Sequence, residues 1–87
     1  MQVEYHKNFI KNYRKRYGNN SKIQKQYAKR LRIFLRDSNK PLLRDHSLRG
    51  DKITLRAFSI TGGIRVVYKQ IGDRIIFLDV GTHNQVY

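Results

Sequence analysis

Apolar positions in the first half of the chain recur at the interval of a helix. Phe9, Ile10, Tyr13 and Tyr17 fall three or four residues apart, and so do Ile23, Tyr27, Leu31, Phe34 and Leu35. Each set predicts one buried helical stripe, the first running from about His6 to Tyr17 and the second to about Asp37. Gly18-Asn19-Asn20 ends the first, since both residue types accept the left-handed conformation at a helix end. Ser21-Lys22-Ile23-Gln24 then reads as a capping box opening the second. Ser38-Asn39-Lys40-Pro41 is a linker, because proline stops helical geometry behind it. Leu42 to Gly50 reads as loop.

Beyond Lys52 the pattern changes to that of strands. Lys52 to Ile60 predicts one strand, with its alternation slipping near Leu55-Arg56 as at a bulge. Thr61-Gly62-Gly63 turns into two apolar runs, Ile64 to Tyr68 and Ile75 to Val80, on either side of Gly72-Asp73. Both runs are apolar at nearly every position, so they belong inside a sheet rather than at its rim. Val3-Glu4-Tyr5 is a short outer strand, and Gly81 to Tyr87 is a polar ending at the mouth of the hairpin. The order β, α, α and three consecutive strands predicts an α+β fold. A two-helix hairpin packs on a small twisted, mainly antiparallel sheet of about four strands. Residues 1–87 read as a single domain with one core.

Charge adds a second layer. There are 19 Lys and Arg against 6 Asp and Glu, a net +13. Between Tyr5 and Arg36 every charged residue is basic, so the outer faces of both helices carry Lys and Arg with no acid among them. Such a field recruits polyanions: nucleic acid, an acidic protein, or both. With no cysteine, disulfides and thiolate metal sites are excluded. No apolar run approaches the ~18 residues of a membrane span, and the start does not have the form of a signal peptide. The expected location is the cytoplasm, with no membrane partner.

His46 and His83, in Asp45-His46-Ser47 and Thr82-His83-Asn84, are the candidate proton carriers, because imidazole titrates near pH ~6.5. His6, beside the first helix, has a weaker setting. On the strand from Ile64 to Gln70, Arg65 and Lys69 share a face with Val67. Arg56 and Lys52 on the neighbouring run are expected to join them, together forming a cationic surface for a phosphate backbone. The bland alternative for Arg65 is a cross-strand ion pair with Asp79. Tyr13, Tyr17 and Tyr27 can be read as stacking platforms for bases, but their helical spacing favours core packing. Asp45, Asp51, Asp73 and Asp79 are scattered, so no metal site or cofactor is expected. Gly62-Gly63 lies in a hairpin turn, which is not a phosphate loop.

Three segments carry a family resemblance: His46-Ser47-Leu48-Arg49-Gly50, the run Arg56 to Tyr68, and Leu78 to Tyr87 with its Gly81-Thr82-His83 and terminal aromatic. Together they resemble RelE/ParE-superfamily toxins of toxin–antitoxin modules, closest to the YafQ-like branch. The resemblance implies a metal-independent mRNA interferase that cuts messenger RNA on the ribosome. It also implies an acidic antitoxin that binds and silences the toxin in a higher-order hetero-oligomer. His46, His83 and Tyr87 fall on positions that act in YafQ-like catalysis, and Arg65 matches a strand arginine that contacts the phosphate. Arg49, Lys52, Arg56 and Lys69 are the candidate RNA-binding residues. Ser59 stands where the branch can carry a further histidine, and Gly63-Ile64 replaces an Asp-Trp pair.

The expected reaction is attack of the RNA 2′-hydroxyl on the adjacent phosphate, with His46 and His83 as base and acid in either order. Two other classes remain open at this point: a ParE-like inhibitor of DNA gyrase without nuclease activity, and a non-catalytic RNA-binding module.

Overall fold

A computed structural model describes residues 2–87 of the chain. Strand β1 (Gln2–Tyr5) leads into helices α1 (Lys7–Tyr17) and α2 (Ser21–Arg36). Strands β2 (His46–Ser47), β3 (Arg56–Ser59), β4 (Ile64–Ile71) and β5 (Arg74–Thr82) follow, and a four-residue helix α3 (His83–Val86) completes the order. The five strands lie side by side as β1-β5-β4-β3-β2. All neighbours are antiparallel except β1 and β5, which run parallel. The two most apolar strands, β4 and β5, are therefore internal, as their continuous hydrophobicity requires.

The stripes of α1 and α2 meet one face of this sheet. Phe9, Tyr17 and Phe34 pack with Phe58, Val66, Tyr68, Ile75, Phe77 and Val80 in the main core. The Phe34 ring stacks on Phe58 at 4.4 Å between centroids and meets Tyr68 edge-on at 5.1 Å. Burying each of these large rings stabilises the fold by roughly 1.5–3 kcal/mol. Tyr13 and Tyr27 join the same aromatic cluster, which places them in packing rather than on a stacking platform. Among the described residues no helix is long and apolar enough to cross a membrane.

Five local expectations are corrected. The sheet has five strands, because the segment read as loop pairs at His46↔Ala57 and Ser47↔Arg56. Within the polar ending, residues 83–86 coil as α3, and the Gln85 side chain accepts from the Thr82 N–H at 2.8 Å. Strand β3 begins at Arg56, since Gly50–Lys52 forms a single 3₁₀ turn instead of continuing a strand. The bulge is not at Leu55-Arg56 but in β5. Val67 pairs with Asp79 and Tyr68 with Phe77, so Leu78 has no opposite number on β4. That extra residue rephases the strand and lets Phe77 and Val80, three apart, both face the helices.

At the helix junction, Asn20 rather than Ser21 caps α2, its side chain accepting from the Ile23 N–H at 3.1 Å. Gln24 instead donates to the carbonyls of Tyr17 and Gly18. Gly18 is right-handed at φ −60° rather than left-handed, and a Cβ there would run into the Arg14 carbonyl oxygen.

Candidate functional site

The face of the sheet turned away from α1 and α2 is not left to solvent. Ala57 on β3 and Val67 on β4 lie under Leu48 and Val86, with Leu55 and Tyr87 packed around them. This small second core joins three pieces of chain distant in sequence: the loop after β2, the middle of the sheet, and α3. Leu48 also donates its N–H to the Leu55 carbonyl at 3.0 Å, closing the loop over the 3₁₀ turn. The consequence is positional. Burying Leu48 sets His46 two residues before it, and burying Val86 sets His83 and Tyr87 on either side.

His46 is held from behind. Its Nδ1 lies 2.8 Å from the carbonyl oxygen of Arg44. A carbonyl can only accept, so in the neutral ring Nδ1 carries the proton and Nε2 keeps a free lone pair. The intervening Asp45 turns inward: its side chain is only 5% exposed, and it accepts from Arg56 Nε at 2.7 Å and from the Tyr68 hydroxyl. Burial is the main cause that raises the Tyr68 phenol above its usual range, with the Asp45 hydrogen bond adding to it. Asp45, Arg56 and Tyr68 thus anchor the segment from which His46 projects.

On the other side of the site, the His83 and Tyr87 rings meet edge to face at 4.5 Å. Arg65 reaches up from β4, its Cζ lying 5.5 Å from the centre of the Tyr87 ring and its Nη1 3.5 Å from the Tyr87 hydroxyl. Lys52 Nζ donates to the Tyr87 backbone carbonyl at 3.0 Å. Gly81, just before α3, sits in a crowded spot: a Cβ there would meet Gln85 Oε1 at 2.5 Å and Arg16 Nη1 at 2.7 Å, so both side chains would have to shift. Arg16 in turn donates to the Val80 carbonyl at 2.8 Å and pairs with Asp79 at 3.3 Å, tying α1 to the strand that carries α3. Asp79 is therefore the partner of Arg16 and Asn12, not of Arg65.

These groups converge on one cavity of about 540 Å³, within the ~300–1,000 Å³ of small-molecule sites. His46, His83, Arg65 and Tyr87 all line it, and so do Arg49 and Lys52. Against three cations and two imidazoles the wall holds one carboxylate, Asp51, so the cavity favours an anion. Arg65 Nε is buried and has no hydrogen-bond partner among the described residues. An unpaired buried donor on this wall is open to an acceptor from outside. Among the described residues no three of His, Asp and Glu cluster as metal ligands.

Two of the RNA-binding candidates do not reach this cavity. Arg56 pairs across β3 and β4 with Tyr68, which faces the helices, and its guanidinium is engaged by Asp45 and Ser47. Lys69 lies further along β4, opposite Ile76 and outside the lining. Ser59 is buried, its carbonyl accepting from Arg30 at 3.0 Å. Sequence reasoning passed over Asp45, Tyr68 and the main chain of Arg44. The one local sign was a carboxylate directly before a candidate histidine.

The whole chain, residues 1–87, matches the model of a family described as the bacterial toxin of type II toxin–antitoxin system, YafQ. The chain belongs to the YafQ toxin family. Solved structures agree on the fold. YafQ from E. coli superposes with a TM-score of 0.82 at 17% identity, over 99% of this chain and 97% of that one. A copper-bound mutant toxin from Helicobacter pylori gives 0.79 at 23% identity, over 100% and 99%. YafQ in the E. coli DinJ–YafQ toxin–antitoxin complex gives 0.80 at 18% identity, over 99% and 96%. A search of curated protein sequences found no match. For a YafQ-family toxin, the cationic cavity between β2, β4 and α3 is the natural place to look for chemistry.

Proposed function

We propose that this YafQ-family toxin is an endoribonuclease that cleaves messenger RNA on the ribosome and so arrests translation. The observation that carries the reading is the convergence of His46, His83 and the partly buried Arg65 on one anion-favouring cavity.

The groups present suit cleavage by the RNA's own 2′-hydroxyl. His46 Nε2 takes the 2′-OH proton as O2′ attacks the adjacent phosphorus. The P–O5′ bond breaks, and His83 in its protonated form supplies a proton to O5′. The products are a 2′,3′-cyclic phosphate and a 5′-hydroxyl, and no water is consumed in this step. Arg65 stabilises the charge that builds on the non-bridging oxygens, its Nε gaining the acceptor it otherwise lacks. Tyr87 holds Arg65 and His83 in place and offers a ring face to a base. Base, acid and charge stabiliser are all side chains, so cleavage is expected to proceed with a chelator present.

The basic faces of α1 and α2 suit docking on ribosomal RNA. Each phosphate neutralised there adds ~0.7–0.9 to the slope of log affinity against log salt. The same surface suits an acidic antitoxin segment that folds as it binds, in a higher-order assembly. E. coli YafQ has been solved in complex with DinJ, which supports a partner of this kind.

Cleavage of mRNA in a ribosome-dependent translation reaction tests the proposal. His46→Ala and His83→Ala should each slow cleavage by ~10²–10⁴-fold while circular dichroism is unchanged. Full activity in the double variant would overturn it, and DNA-damage signalling with intact mRNA would redirect it to gyrase.

A further inference from the structure

Arg44 is the one non-glycine residue with a left-handed backbone among the described residues, at φ 50° and ψ 38°. L side chains adopt this conformation rarely, and at the end of a helical turn it is usually filled by glycine. Here it follows the 3₁₀ turn Pro41–Leu43. The Arg44 N–H closes that turn on the Pro41 carbonyl at 3.1 Å, while its own carbonyl meets His46 Nδ1 at 2.8 Å. One residue's main chain therefore does two things, and the second depends on its left-handed φ/ψ pair, since an extended ψ at residue 44 would turn its carbonyl away from the ring.

The next residue has no freedom to compensate. Asp45 is buried and tied to both Arg56 and Tyr68, so the path from 45 onward is fixed. The His46 ring itself is exposed, and the Arg44 carbonyl is its hydrogen-bond partner within the chain. An exposed imidazole without that partner would exchange freely between its two neutral forms. We propose that Arg44 is a positioning residue, whose left-handed main chain locks His46 in the Nδ1–H tautomer and presents Nε2 to the cavity as the proton acceptor. The catalytic consequence rests on the nuclease reading, whereas the tautomer does not.

Nitrogen-15 NMR of the histidine rings, at a pH where they are neutral, tests the tautomer in the full-length protein. The expected wild-type spectrum shows His46 as the Nδ1–H form, and an Nε2–H form or an averaged mixture would overturn the proposal. Arg44→Gly accepts the same backbone and should keep that spectrum. Arg44→Val resists it through its β-branch and should move His46 toward a mixture. In ribosome-dependent cleavage, kcat of the glycine variant should exceed that of the valine variant by ~10-fold or more. If the valine variant does not fold, Arg44→Ala takes its place with the same direction. Equal His46 spectra in the glycine and valine or alanine variants would also overturn the proposal. If wild-type protein cleaves no RNA while the tautomer follows backbone preference as stated, the nuclease reading fails and the positioning role of Arg44 stands.

Discussion

The guanidinium of Arg65 lies over the Tyr87 ring, with Nη1 3.5 Å from the hydroxyl, while its buried Nε has no partner among the described residues. A side chain in this state costs stability, since desolvating a donor without a partner is unfavourable by roughly 1–3 kcal/mol. Arg65→Met keeps the bulk and removes that cost. Thermal unfolding of the variant should occur at or above the wild-type temperature, while cleavage falls by about 10²–10³-fold. A marked drop in melting temperature would mean that Arg65 is structural. Arg65→Lys should not restore the rate, because a point charge cannot present two parallel N–H donors to a phosphate.

Asp45 offers the opposite balance. Its carboxylate is buried and serves both Arg56 and the Tyr68 hydroxyl. Asp45→Ala leaves that phenol unpaired in the core and should destabilise the domain by roughly 2–3 kcal/mol, less than for a fully buried pair because Arg56 is 40% exposed. In a double-mutant cycle with Tyr68→Phe the losses should fall short of additivity, since both changes remove the same bond. Simple additivity in urea unfolding would sink the shared-network account.

The small core under the site gives a third test. Leu48 is 6% exposed and Val86 8%, and they bridge the His46 loop and α3 across Ala57 and Val67. Leu48→Ala should cost about 2–4 kcal/mol, a little below the value for a wholly enclosed leucine. The informative readout is activity at a temperature where the variant remains folded. Cleavage should fall because the two histidines lose their common support, and an unchanged rate would show that they are positioned independently of it.

Alkaline pH should unfold the protein early. Burial raises the phenols of Tyr27 and Tyr68 above their usual range, and those of Tyr13 and Tyr17 in the same direction. The folded state holds protons that the unfolded chain releases near pH ~10. This contribution is therefore whole below about pH 10 and is lost as pH rises toward the folded values. Urea midpoints should decline steeply above that point, with phenolate absorbance appearing together with loss of helix. Tyr68→Phe should flatten the decline. Phenolate signals at ordinary pH from a still-folded protein would contradict it.

The helices and the central strands were legible because each repeats its apolar signal over several turns or residues. Phe9 to Tyr17 and Ile23 to Leu35 announce their buried faces without help from the rest of the chain. Three things were not legible, for different reasons. The bulge at Leu78 has no mark of its own, since a leucine in an apolar strand looks the same in or out of register. Four residues of α3 are too few to show a helical period, and its side-chain bond from Gln85 resembles ordinary loop chemistry. The Asp45 network depends on partners 11 and 23 residues away, which no local pattern can nominate. At the site, residue type pointed to His46, His83 and Arg65 and the family resemblance to Tyr87, and all four line one cavity. Arg56 was misplaced because the β3–β4 register is written in neither strand: it falls opposite Tyr68, on the helix face, rather than on the face of Arg65 and Val67.

The skipped residue in β5 has one more implication. Past Leu78 the in-and-out order of residues shifts by one along the sequence, while pairing with β4 resumes at Asp79 and leads on to Gly81, Thr82 and the rings of His83 and Tyr87. Removing Leu78 would leave every β4–β5 pair in place and keep Phe77 and Val80 on the helix face, so His83 and Tyr87 would stay on their side of the sheet and only the extra local twist would be lost. A residue more or less at the bulge is thus absorbed without turning the site over, and relatives should differ in length there more readily than at the paired residues on either side.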